Sequence, residues 1–233
     1  MYLFRSIKQF VKLKAMFDYD LFHERYRSRF FGIRNGRSID CFFDVGANVG
    51  SFPVKFCQNM NVDIKNVIYV EPDDRCLSEL ENIKSLSPFE NVVVENLCLG
   101  STSGEIEFFK TENPAQNSVL PPASFSSIKC MVKLTMGEKL VDRYSDLLGE
   151  HNVLKIDVQG LEMDVLKGFA NTLNKFTFII IEISFEIFYD KQSSYLDIFN
   201  YLSKTHSYVG DFTKVYSEDG LISYMNSCFQ LKR

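Results

Sequence analysis

Cys41-Phe-Phe-Asp-Val-Gly-Ala-Asn-Val-Gly-Ser51 is an apolar run that ends in an acid and breaks into a glycine turn. Such a turn directly after a buried parallel strand lets the backbone approach a ligand closely and adopt conformations that a side chain would block. Ser51 or Phe52-Pro53 can then open a helix, because proline is tolerated at a first helical position. The stretch therefore reads as strand, nucleoside-binding turn and helix, the opening unit of an α/β fold.

Downstream, short apolar runs alternate with amphipathic stretches, as in a doubly wound, mostly parallel sheet. Asn66–Val70 reads as the second strand, stopped by Glu71-Pro72, with a helix over Asp73–Lys84; Asn91–Glu95 is the third strand. Val153–Asp157 is the fourth, followed by a helix over Leu161–Phe169. Lys175–Ile183 is a continuous apolar run with Glu182 near its end, as expected for a strand buried on both faces. Ser193–Lys204 supplies a further helix, and Tyr208–Val215 and Tyr224–Leu231 close a seven-stranded sheet, with antiparallel pairing allowed at the end. Between residues 99 and 135, Gly104–Phe109 and Met131–Leu134 suggest an inserted hairpin. Its proline-punctuated loop is placed over the carboxyl ends of the main strands.

At 233 residues and 45% hydrophobic the chain can fill one large core, and it has no run of about 18 apolar residues that would span a bilayer. Six cysteines lack CxxC or histidine companions and read as free thiols of a cytoplasmic protein, with no metal site built from them. Residues 1–40 carry nine Lys/Arg against four Asp/Glu, which leaves the rest of the chain acidic. An acidic body argues against a nucleic-acid substrate. Leu3, Ile7, Phe10 and Val11 fall on one helical face, so residues 1–40 read as a basic helical appendage. It would dock on the domain or on the partner of a homodimer, with peripheral membrane contact by residues 1–20 as the alternative.

Glu71 follows Gly50 by 21 residues at a strand end, where a carboxylate can accept from both hydroxyls of a ribose. NAD would suit that acid, but its pyrophosphate is usually met by G-x-G-x-x-G, and the spacing here is G-x-x-x-G. S-adenosylmethionine has no phosphate. Asp44 could attract its ammonium directly or through water, the amides of residues 46–50 its carboxylate, and Glu71 its ribose. A non-catalytic binding module is the reading from another class, and an NAD oxidoreductase a third. An amino-group methylase of nucleic acid would show an Asn/Asp-Pro-Pro-aromatic turn after the fourth strand, where this chain has Asp157-Val-Gln-Gly160.

Asp44-Val-Gly-Ala-Asn-Val-Gly50, Val70-Glu-Pro72, Leu154-Lys-Ile-Asp-Val-Gln-Gly-Leu-Glu162 and Val165-Leu-Lys-Gly168 resemble the FkbM-type methyltransferases, over roughly three fifths of the chain. Gln159 departs from a frequent glutamate and Met136-Gly137 from a frequent Leu-Asp, and residues 1–40 lie outside the resemblance. It implies a Rossmann-like, seven-stranded methyltransferase domain over residues 41–233, acting with S-adenosylmethionine on a hydroxyl of a small molecule or saccharide. It sets Asp44, Gly46, Asn48, Gly50, Ser51 and Glu71 around the donor, with Asn96, Leu97 and Cys98 at the adenine. Asp157 faces the methyl and the acceptor. For the proton of the acceptor hydroxyl the candidate bases are Asp157, Glu162 and Glu182. The same carboxylates could instead pair with Lys155 or hold a divalent cation that acidifies the hydroxyl. The 11 tyrosines and the loop around Asn117-Ser118 and Phe125 suggest platforms for a saccharide.

Overall fold

The computed structural model describes residues 38–60, 62–122 and 126–233, the side chain of Phe212 excepted. The basic segment expected to form a helix, and Phe125, lie outside the described residues. The element order is β1 (Ile39–Val45), α1 (Ser51–Met60), β2 (Ile64–Val70), α2 (Leu77–Leu86), β3 (Asn91–Glu95), β4 (Cys98–Gly100) and β5 (Gly104–Lys110). There follow β6 (Ile128–Met136), α3 (Gly137–Arg143), β7 (Asn152–Ile156), α4 (Glu162–Gly168), β8 (Phe178–Ser184), α5 (Tyr195–Leu202), β9 (His206–Tyr216) and β10 (Ile222–Leu231).

Seven strands form one sheet in the order β3-β2-β1-β7-β8-β10-β9. The first five pair in parallel, while β10 runs antiparallel to both β8 and β9. Alternation along each central strand divides the apolar side chains between two cores. Phe43, Ile68, Leu154 and Ile181 pack with α3, α4 and α5; Phe42, Val67, Val153 and Ile180 pack with α1 and α2. Strands read as apolar on both faces are therefore covered on both faces, which defines the doubly wound, Rossmann-like arrangement.

Several boundaries depart from the sequence reading for local reasons. The sheet starts at Ile39, which is 1% exposed, two residues before Cys41. The helix expected over Asp73–Lys84 is broken: Asp73 accepts from Arg75 N and caps a 3-10 turn at Asp74–Cys76 before the α-helix begins at Leu77. The insertion is larger than a hairpin. β5 and β6 pair antiparallel, and the three-residue β4 joins β6 in parallel to make a separate three-stranded sheet. Helix α3 was not expected at all. Finally, Leu173–Lys175 is a 3-10 turn, so β8 starts at Phe178 rather than Lys175.

Candidate functional site

A cavity of about 540 Å³ opens at the carboxyl ends of β1, β2, β7 and β8, the edge where ligands of open α/β sheets bind. Its size falls within the range of small-molecule sites. One wall is the glycine turn. Gly46 (φ 73) and Asn48 (φ 49) are left-handed, and the N–H groups of Gly46 and Ala47 donate to Val70 O at 3.0 and 3.1 Å. A Cβ on Gly46 would stand 1.7 Å from Asp157 O, so only glycine lets the turn run beside the end of β7. Gly50 (φ 71) is set against Leu80 and Ile83 of α2, and its carbonyl accepts from Tyr69 Oη at 3.1 Å.

Glu71 lies on this wall, 6% exposed. Its Oε2 accepts from Asn48 N at 2.7 Å and its Oε1 from Asp73 N at 2.9 Å, so one carboxylate ties the glycine turn to the loop after β2. Each oxygen keeps a further lone pair for a ligand. Burial outweighs these two amides and lifts its pKa to about 7. Asn96 Nδ2 donates to the carbonyls of Glu71 and Pro72 at 2.9 and 3.1 Å, and the side chain steadies that loop rather than lining the cavity. Leu97 and Cys98 do line it, beside Leu99 and Phe108. Ser51 begins α1 and, like Gly50, is not on the wall.

Asp44, Lys155, Asp157 and Glu182 share one face of the sheet by alternation. Asp44, read as attracting a ligand ammonium directly or through water, is set back behind the wall. It is fully buried, is absent from the cavity wall, and pairs with its register neighbour Lys155 at 3.1 Å. Lys155 Nζ also reaches Asp157 Oδ2 at 3.3 Å and donates to Gly46 O at 3.1 Å. Burial works against the Lys155 ammonium, but the charges of Asp157 and Asp44 outweigh it and hold its pKa above the usual value.

Asp157 and Glu182 both line the cavity. Between them lies Gln159, whose Nε2 donates to Asp157 Oδ1 at 2.9 Å and to Glu182 Oε1 at 3.0 Å. Burial raises the pKa of Glu182 well above the ordinary carboxylate value, and the charges of Asp157 and Glu162 raise it further. Glu162, read as a candidate base, is not on the wall. Its Oε1 accepts from Gly160 N at 2.9 Å and Val158 N at 3.3 Å, so it braces the turn that carries Asp157 and Gln159. Burial lifts its pKa to about 7. Among the described residues no three His, Cys, Asp or Glu side chains are arranged to hold a metal ion. The donor group of Gln159, turned toward both carboxylates, is ill suited to join them around a divalent cation.

The loop after β5 roofs the cavity. Asn117 Nδ2 donates to the buried Asp73 Oδ2 at 2.6 Å, and Asn117 Oδ1 accepts from Thr111 N at 2.8 Å, so the loop is pinned from below. Tyr189 Oη stands 3.2 Å from Gln116 O and 3.0 Å from Gln159 Oε1 on the other side. Phe188, Tyr189 and Tyr224 complete the wall on that side, with the rings of Phe188 and Tyr224 edge to face at 6.4 Å. Gln159, Phe188 and Tyr189 were not read as site residues. For Gln159 the signal was its place in the Asp157-Val-Gln-Gly160 turn, where it departs from a frequent glutamate.

The seven-stranded sheet with one antiparallel strand near its edge, and a glycine turn and acid at its carboxyl ends, define a Rossmann-like domain of the methyltransferase kind. Methyltransferase FkbM from Methylobacillus flagellatus KT has this fold, with a TM-score of 0.53 at 16% identity over 88% of this chain and 47% of that one. Residues 44–209 match the methyltransferase FkbM domain, and the chain belongs to that family. Hexuronic acid methyltransferase AglP of Haloferax volcanii is 31% identical over 144 residues, which cover 62% of this chain and 56% of that protein. The chain thus matches little more than half the length of this relative.

Proposed function

We propose that the cavity takes S-adenosylmethionine against the glycine turn and Glu71, and that residues 41–233 act as an O-methyltransferase domain on a saccharide or other small hydroxylated acceptor. The observation that carries this reading is Glu71, a buried carboxylate that lines the cavity and is tied to Asn48 of the turn. Its spare lone pairs suit two vicinal hydroxyls, and Leu97, Cys98 and Leu99 offer an apolar wall to an adenine. Gly46, Asn48 and Gly50 shape the turn, Ser51 opens its helix, and Asn96 steadies Glu71. Asp44 contributes charge through Lys155.

The donor supplies a methyl group already activated on a sulfonium. What remains for the chain is to align an acceptor oxygen with it and to receive the hydroxyl proton as the O–C bond forms and the S–C bond breaks. Asp157, on the wall and salt-bridged to Lys155, is the base in this reading; Glu182, whose pKa burial raises well above the ordinary carboxylate value, holds its proton more tightly and is the poorer base. Glu162 acts on the turn. A saccharide acceptor accords with what AglP is named for and with the tyrosine and phenylalanine rings at the acceptor end. The six free thiols fit a reducing, cytoplasmic setting.

Calorimetric titration of the purified protein with S-adenosylhomocysteine, and with NAD as a matched control, tests the donor site. Binding of the first alone is expected. Binding of NAD alone, or of neither, overturns the assignment.

A further inference from the structure

Gln159 stands at φ 58, in the left-handed region that glycine occupies without penalty and a long side chain does not, and Gly160 follows at φ 103. A residue held there at a cavity wall points to a requirement for its side chain. All its side-chain polar atoms are engaged. Nε2 donates to Asp157 and Glu182, and Oε1 accepts from Tyr189 Oη. Its backbone carbonyl accepts from Ser118 Oγ at 2.6 Å, and Ser118 is 1% exposed. Facing two carboxylates, the amide can present only its NH2 group, which leaves its oxygen for the tyrosine.

We propose that Gln159, locked by Tyr189 and Ser118, is a positioning residue that sets the spacing of Asp157 and Glu182 and prevents the two carboxylates from meeting directly. The proposal rests on the cavity being the methyl-transfer site. Without the amide, two half-buried acids at the ends of adjacent strands would close on each other and share a proton, as neighbouring carboxylates do. Asp157 would then lose its separate role as a base. With it, each acid receives one N–H, and the ammonium of Lys155 remains on Asp157. Tyr189 Oη also lies 3.2 Å from Gln116 O, so its single proton is shared between that roof carbonyl and Gln159 Oε1.

The charged and titratable groups around Glu182 are Asp157 and Lys155 from β7 and its end, Glu162 from α4, and Tyr189 from the segment after β8. Opposite it in the β8–β10 register is Asn226, 8% exposed, whose buried Oδ1 has no hydrogen-bond partner among the described residues. Of the groups acting on Glu182, the Gln159 N–H and Lys155 hold its proton affinity down. Gln159 is therefore the neutral group whose removal should move the titration of Glu182 upward.

Carboxyl 13C NMR of the full-length protein reads this directly, with the Glu182 signal assigned by its loss in Glu182→Gln. In Gln159→Met, which keeps the length but removes both N–H donors, the proton affinity of Glu182 is expected to rise by at least about threefold. Tyr189→Phe should move it the same way by less. Gln159→Gly removes the amide in a residue that suits the left-handed backbone, so it supplies a second variant free of backbone strain at that position. A Glu182 titration in Gln159→Met or Gln159→Gly that superimposes on the wild type overturns the proposal. Titration of the wild type with S-adenosylhomocysteine keeps the two readings apart: absent binding removes the donor site, whereas an unmoved Glu182 signal removes only the role of Gln159.

Discussion

Glu71 is the residue at which the donor reading is most exposed to test. Glu71→Ala should weaken S-adenosylhomocysteine binding by about 1–3 kcal/mol through loss of charge-assisted bonds to the ribose, and unchanged affinity in calorimetry would remove the assignment. Its pKa of about 7 adds a signed prediction. On the donor reading the ribose hydroxyls bind the carboxylate, so affinity should fall as pH drops below about 7 by up to tenfold per pH unit, with about one proton released on binding there. Equal affinity at about pH 6 and about pH 8 would contradict it. At the acceptor end, Asp157→Asn should lower the single-turnover rate by about 10²–10⁴-fold while donor affinity changes much less. Glu71, Asp157 and Glu182 could be singled out in the sequence because an acid that ends an apolar strand is conspicuous. Asp44 has the same signature and a different situation, since the register that sets it on Lys155 depends on strand order. Tyr189 carries no local mark; only the tertiary fold brings its hydroxyl to a residue 30 positions away.

Among the elements, the turn from β7 into α4 shows how a site is held by groups outside it. Glu162 satisfies two backbone N–H groups of residues 158 and 160, and Glu162→Ala should destabilise the protein by about 1–3 kcal/mol in urea unfolding by leaving them without that acceptor. Glu162→Gln keeps an accepting oxygen and should cost well under half of that. Helix α4 also packs on the small sheet with no space to spare: a Cβ on Gly168 would lie 2.1 Å from Gly100 O. Gly168→Ala should therefore cost about 1–3 kcal/mol by the same measurement, as overpacked sites do. A neutral result would mean that the small sheet can slide on α4. The long strands were legible because buried apolar runs with alternation between two cores leave a strong pattern. β4 spans three residues, too short for a strand period to emerge, and it is paired only with β6; α3 opens on a glycine and has two buried apolar side chains, Leu140 and Val141, which leave no helical stripe to read. The antiparallel end of the sheet could be anticipated from the short connection between β9 and β10, since parallel neighbours need a long crossover.

Over the molecule as a whole, several buried acids should set how stability depends on pH. Burial raises Glu71 and Glu162 from 4.5 to about 7 and Glu182 well above 4.5. The folded state therefore holds protons that the unfolded chain releases once pH passes about 4.5, and stability must fall as pH rises from there through about 7. His206 opposes this with one group: burial lowers its pKa, so the unfolded chain takes a proton below 6.5 that the folded state refuses. The opposite case is Asp73, held at about 2 against the effect of burial by Arg75, Asn117 and Lys110. It contributes stability above 3.8 that is lost as pH falls toward about 2. With four acids raised by burial, Asp44 among them, against one histidine, the urea midpoint of the ligand-free protein should be higher at about pH 5.5 than at about pH 8. The double variant Glu71→Gln/Glu162→Gln should flatten that slope. Saturating S-adenosylhomocysteine should oppose it, because a ligand that prefers the Glu71 carboxylate gives more stabilisation as pH rises. A midpoint that climbs steadily from about pH 5 to about pH 8 without ligand would show that these acids are not buried with raised pKa values, and would take with it the raised proton affinity of Glu182 on which the proposed division of roles between Asp157 and Glu182 depends.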